Sequence, residues 1–313
     1  MPLLTLKIDV DTYRGTRQGV PNLVRLLQRH EANASFLFSL GPDHTGRALR
    51  RAFRPGFFQK VSRTSVIEHY GLKTLMYGVL LPGPDIGKVC ANEMRAVRHA
   101  GFECGIHTWD HVAWQDHVRQ RDAAWTERQM QRAFDRFIDI FGTPPQTHGA
   151  AGWQMNPHAF AQLDAFGFTY ASDSRAQLME NGALSNPDIG PYRLSASGKI
   201  FSCIQLPTTL PTLDELLGRT VEGTVIDLAN IAAAILRLTA QPRNHVFTLH
   251  AELEGQKLAP IFEKLLKGWR AQGYDLGSMA DYYRIVKNSV LPAYPIHWGE
   301  LPGRSGKLIT LAA

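Results

Sequence analysis

Short apolar runs alternate with amphipathic stretches along nearly the whole of this chain, a rhythm that few folds accommodate. Residues 4–10, 34–40, 102–107, 168–172, 200–206, 245–250 and 274–276 read as strands, and 145–151 as a short strand or connection. Residues 19–30, 88–100, 125–141, 156–166, 225–238 and 258–272 carry the apolar spacing of helices. Strands linked by helices pair in parallel through right-handed crossovers, so the pattern predicts a closed or nearly closed parallel barrel of about seven or eight strands. A doubly wound sheet fits less well, because the Gly-rich phosphate-binding fingerprint is missing.

A parallel barrel brings the C-terminal ends of its strands to one mouth, and each polar side chain there needs a reason. Here those ends carry Asp9 and Asp11, His107 and His111, Asp173, and His250. The segment His107-Thr108-Trp109-Asp110-His111 sets two imidazoles four residues apart directly after a strand. Thr108 follows the first histidine where a helical zinc-protease motif would have Glu, which argues against that motif. Two imidazoles alone hold a catalytic metal poorly, so a carboxylate should converge on them, and Asp9 and Asp11 are the candidates. Singly, each residue has a plainer reading as a turn-capping carboxylate or a hydrogen-bonded buried imidazole. Together they point to a metal-dependent hydrolase. Trp109, Trp114 and Trp153 are candidates for stacking on a sugar or for packing. Glu252 and Glu254 follow His250 at alternating positions and are candidates for binding sugar hydroxyls, for orienting His250, or for a solvated loop.

A net charge of +6 admits nucleic acid, an anionic membrane or an acidic substrate as partner, and its distribution narrows the choice. Arg47, Arg50, Arg51, Arg54, Lys60, Arg63 and Lys73 crowd one region, interleaved with Phe53, Phe57, Phe58, Tyr70 and Tyr77. This basic helical insertion after the second strand, about residues 43–83, suits either an anionic inner-leaflet membrane surface, through residues 47–77, or a solvated hairpin over the barrel. No nucleic-acid signature accompanies it. Residues from about 288 to 313 read as a C-terminal tail, making one domain of the whole chain. Cys90, Cys104 and Cys203 are widely spaced, which suits buried thiols rather than a disulfide framework. With no leader pattern and no membrane-length apolar run, the expected location is cytoplasmic, peripheral to the inner face of the membrane.

Asp9 and Asp11, the His107-x-x-x-His111 pair, Tyr170-Ala171-Ser172-Asp173 and Phe247-Thr248-Leu249-His250 resemble, in order and spacing, the motifs of the metal-dependent polysaccharide deacetylases related to nodulation-factor deacetylase. Longer strings, residues 8–17, 107–115, 150–153 and 250–255, are similar to a deformylase branch of that family. The resemblance implies an α/β fold, a distorted (β/α)7 TIM-like barrel, with one divalent metal ion (zinc, cobalt, manganese or iron) on Asp11, His107 and His111. It further implies Asp9 as general base, His250 as general acid, and as substrate an N-formyl amino sugar on a polyprenyl phosphate. An N-acetyl glycan deacetylase is the competing enzyme, and a basic surface-binding protein with a structural metal is the competing non-enzyme. Two departures stand out. His148 occupies the place of the family's base-orienting Arg, so Arg175 is expected to orient Asp9 instead. Phe247 replaces a usual Leu and is expected to narrow the pocket beside the acyl carbon.

Overall fold

The computed structural model describes residues 1–48, 72–304 and 306–311. Its central strands are β1 (Leu3–Val10), β2 (Ser35–Ser39), β3 (Glu103–Thr108), β4 (Thr147–His148), β5 (Tyr170–Ala171), β8 (Ile204–Gln205) and β11 (His245–His250). They pair in parallel in the order β11-β1-β2-β3-β4-β5-β8, and β12 (Asp275–Gly277) pairs with the first residues of β1. The sheet curls into a distorted barrel. Between β8 and β11 the closure runs through threonines: Thr209 N donates to Val246 O (3.0 Å), Val246 N donates to Thr209 Oγ1 (2.9 Å), and the hydroxyls of Thr208 and Thr248 meet at 2.8 Å.

Alternation along β1 divides the molecule. Leu4, Leu6, Ile8 and Val10 join the large core beneath the surrounding helices, among them Val20–Arg29, Ala91–His99, Ala123–Phe141 and Ala259–Ala271. Leu3 joins a separate interior cluster with Leu37, Tyr170, Ile204, Leu206 and Val246, so the odd positions Thr5, Lys7 and Asp9 line the inside of the barrel. The first crossover starts as a π-helical turn, Gly15–Gly19, pressed against the segment after β11. A Cβ on Gly15 would stand 1.9 Å from Glu252 Oε1, and one on Gly19 1.9 Å from Ala251 O, so both positions require glycine.

Three expected elements differ. The 200–206 strand is split, because β7 (Lys199–Ile200) turns back on β6 (Arg193–Ala196), while Asp164 Oδ1 accepts the Ser202 and Cys203 amides at 2.9 and 3.1 Å. The 225–238 helix begins only at Ile231. Ahead of it, β9 (Thr220–Val221) and β10 (Thr224–Val225) form a hairpin around Glu222 and Gly223, both at positive φ, and Asp227 and Asn230 cap a turn. The described part of the 288–313 segment is built into the fold rather than trailing from it. Its β13 (Ala293–Pro295) pairs with β6, its β14 (His297–Gly299) pairs with β15 (Leu308–Thr310), and Leu301, Leu308, Ile309 and Leu311 are buried. All three cysteines are free and buried. Most of the basic insertion, including Arg50, Arg51, Arg54, Lys60 and Arg63, lies outside the described residues. Among the described residues no helix is long and apolar enough to cross a membrane.

Candidate active site

Three barrel strands deliver the polar groups to one mouth. Parallel register sets Asp9 of β1 beside His250 of β11, so both point inward from neighbouring strands. Asp11 follows directly after β1, and His107 stands near the end of β3. His111 opens the next helix, His111–His117, whose N-cap is Asp110: its Oδ1 accepts from Ala113 N (3.0 Å), while its Oδ2 pairs with His44 Nδ1 (2.6 Å). The four-residue spacing is therefore not one helical face. It is a strand end and a helix start folded together by a cap.

His107 Nδ1 lies 2.5 Å from the carbonyl of Gly149, which can only accept, so Nδ1 carries a proton and the neutral ring has its lone pair on Nε2. That Nε2 faces Asp11 Oδ1 at 3.2 Å, and His111 Nε2 stands 3.5 Å from Asp11 Oδ2. A nitrogen lone pair facing a carboxylate oxygen repels it unless a proton or a metal cation lies between them. Among the described residues neither Asp11 Oδ1 nor Asp9 Oδ1 has a hydrogen-bond partner, although both are buried. Burial works against the charged form of Asp11, yet His111 and then His107 hold its carboxyl below the usual range. Burial likewise disfavours the His107 imidazolium, but Asp9 and then Asp11 override it and push the ring upward. The ligand atoms of Asp11, His107 and His111 lie within 4.8 Å of one another, and a carboxylate with two imidazoles is a donor set for a divalent transition metal. The residues fit such an ion.

Around this centre the structure corrects the expectations for Arg175 and Phe247 and gives Trp153 and Glu252 other contacts than a sugar. Arg175 does not reach Asp9. Its guanidinium is turned toward residues 210–215, where it grips Glu215 at 2.6 and 3.0 Å and Leu210 O at 3.2 Å. Trp153 is buried with its ring facing Lys7, Arg175 and Arg304, which leaves no face for a sugar. Phe247 points outward against Trp269 of the helix layer, ring centroids 5.2 Å apart, because β11 alternates and Thr248 and His250 take the inward positions. Glu252 meets backbone rather than sugar: its Oε1 accepts from Asp11 N (3.1 Å), Thr12 N (2.9 Å) and Thr12 Oγ1 (2.8 Å). Burial, and then the Asp11 carboxylate, push Glu252 well above the ordinary glutamate range.

Asp173 is fully buried and holds His148 Nδ1 (2.6 Å), Ala150 N (2.8 Å) and Gln205 Nε2 (3.2 Å), tying β4, β5 and β8 together at the mouth. Glu254 fixes the backbone of His250, accepting its N–H at 2.8 Å, while His250 Nδ1 is buried with no hydrogen-bond partner among the described residues. Lys7 is the residue that sequence reasoning passed over: its Nζ lies 3.0 Å from Asp9 Oδ2. The signal was present, since positions 7 and 9 of one strand share a face.

No protein-family model matches the chain. A Mycobacterium smegmatis protein classed as a polysaccharide deacetylase superposes with a TM-score of 0.60 at 15% identity, covering 96% of each chain. A family 4 acetyl xylan esterase from Clostridium thermocellum, solved with a cobalt ion, gives 0.50 at 10% identity over 90% of this chain and 91% of its own. These likenesses establish the distorted barrel of the polysaccharide deacetylase class. Sequence relatives go further. The probable 4-deoxy-4-formamido-L-arabinose-phosphoundecaprenol deformylase of Shewanella sediminis is 38% identical over 261 residues, 83% of this chain and 79% of its own. Its counterpart in Wigglesworthia glossinidia brevipalpis is 31% identical over 294 residues, 93% of this chain and 96% of its own. The chain belongs to this deformylase family, hydrolases of amide carbon–nitrogen bonds.

Proposed function

We propose that the chain hydrolyses the N-formyl group of 4-deoxy-4-formamido-L-arabinose carried on undecaprenyl phosphate, releasing formate and the free amino sugar lipid used to modify lipid A. The observation that carries this reading is the convergence of Asp11, His107 and His111 beside a buried Asp9 oxygen without a hydrogen-bond partner, in a chain 38% identical to such a deformylase. Asp11, His107 and His111 would hold a divalent ion, which when bound would supply Lewis acidity to a water and to the formyl oxygen. Asp9 Oδ1, buried with no hydrogen bond among the described residues, takes the proton of the attacking water. His250, on the neighbouring strand at the same level, protonates the departing amine, which is otherwise a poor leaving group. Glu252 and Glu254 keep the two halves of the site in register by bonding the backbones of Asp11 and His250.

Formate release from the N-formyl lipid, measured before and after chelation and after adding back zinc, cobalt, manganese or iron, tests the assignment. Metal-restored release that Asp9→Asn cuts to a small residual rate supports it. Release of acetate from N-acetyl glycans with none of formate would replace it. The insertion is also proposed to dock the mouth on the anionic inner leaflet. At its described edge Val79 and Leu80 are 52% and 74% exposed beside an exposed Lys73, an apolar and basic margin suited to a headgroup layer. Flotation with liposomes that is indifferent to anionic lipid would remove this part.

A further inference from the structure

From the geometry we infer that Lys7 is a positioning residue for Asp9: by holding Oδ2 it leaves Oδ1 as the oxygen that receives the proton. This rests on the reading of Asp9 as the base. Lys7 sits inside the barrel, wholly buried, and its ammonium meets Asp9 Oδ2 at 3.0 Å. The other oxygen of that carboxylate, Oδ1, accepts no hydrogen bond among the described residues. His107 Nδ1 stands 3.7 Å from Oδ1 and gives its proton to Gly149 O instead, and Arg175 is occupied by Glu215.

The lysine stem is confined as tightly as its tip. A Cβ on Gly149 would lie 2.7 Å from Lys7 Cε and 2.4 Å from Leu37 Cδ1, so glycine there is what gives the stem its passage. Trp153 closes the other side, its ring centroid 4.9 Å from Nζ. Gly149 thus makes room for the lysine and, through its carbonyl, orients the ring of His107. Base and metal ligand are aimed from one point.

Stability does not account for the pair, because desolvating a buried lysine and aspartate offsets most of their attraction. Its distinctive result is angular. A carboxylate on a short side chain can rotate either oxygen toward the mouth, and a fixed cation on one oxygen decides which is presented.

The test is a kinetic cycle on N-formyl substrate with the full-length, metal-loaded protein. Lys7→Met is expected to lower kcat about 10–100-fold, with KM and metal per chain unchanged, and Lys7→Arg, which keeps a cationic donor, to recover most of it. In an Asp9→Asn background Lys7→Met should cost nothing further, because the residue it positions is already gone. Wild-type kcat in Lys7→Met, loss of bound metal, or an undiminished penalty in the Asp9→Asn background would overturn the inference. If Lys7→Met does not fold, Lys7→Gln takes its place in the same cycle. Failure of the wild-type chain to release formate, or full activity in Asp9→Asn, would instead strike the underlying reading, so the two failures are told apart.

Discussion

Two clusters of buried charge adjoin Trp153, and they are built on different principles. In one, Glu215 Oε1 accepts from both Arg175 Nη1 and Arg304 Nε at 2.6 Å, and Oε2 accepts from Arg175 Nη2 at 3.0 Å and Thr212 N at 2.9 Å. In the other, Asp9 Oδ1, Asp11 Oδ1 and His250 Nδ1 are just as buried and lack hydrogen bonds among the described residues. Burial of charge is common to both, so it does not mark the chemistry. The convergence of several open polar groups, from different strands, on one mouth does mark it.

Substitutions should separate the two clusters. Asp11→Asn is expected to empty the metal site and reduce formate release about 10³-fold or more, the several kcal/mol that a Lewis acid contributes. Metal analysis and a thermal melt in chelator would show the loss of ion without loss of fold. Glu215→Gln should do the reverse, destabilising by about 3–5 kcal/mol through uncompensated arginines while the metal stays bound, as read from denaturant unfolding.

Acid sharpens the contrast. Burial raises the Glu215 carboxyl, but Arg175 and then Arg304 pull it further down, to about 2. A depressed pKa contributes stability that is complete above the unfolded value of 4.5 and is lost as pH falls toward 2, here about 3 kcal/mol. The stability gap between wild type and Glu215→Gln should therefore shrink between pH 5 and about 3. A gap that stayed constant would mean that the arginines do not hold the charge. Glu252→Gln is expected to cost about 10–100-fold in activity or metal affinity, since it loosens the Asp11 backbone rather than removing a ligand. Phe247→Leu should change least, under about 1.5 kcal/mol of stability with turnover unaltered, because the ring faces Trp269 and not the mouth. A large shift in acyl preference from that variant would return Phe247 to the pocket.

The barrel was legible because strand–helix alternation is written locally, and the strand-end residues Asp9, His107 and His250 followed from it. What escaped was decided by single side chains acting at a distance. Asp164 splits a strand by binding two amides of another segment, and Arg304 joins a residue of the supposed tail to Glu215. Arg175 illustrates the limit best. Its position past a strand end suggested the mouth, but the direction of its side chain depends on Glu215, forty residues further along the chain. Lys7 needed no partner from afar, only the period of two applied to a charged residue inside a barrel.

The threonine seam between residues 208–210 and β11 gives the barrel a preferred line of yielding. A ladder of backbone bonds opens cooperatively, whereas a hydroxyl lets go with one side-chain rotation. Val246, whose amide is held by Thr209 Oγ1, is thus expected to exchange its hydrogen with solvent ahead of the amides at the centre of β1 and β2. The strand carrying His250 is laddered to β1 along one edge and only buttoned along the other, so it can sway. Amides of the strand carrying His250 are accordingly expected to exchange ahead of those on the β1–β3 side, which carries Asp11, His107 and His111.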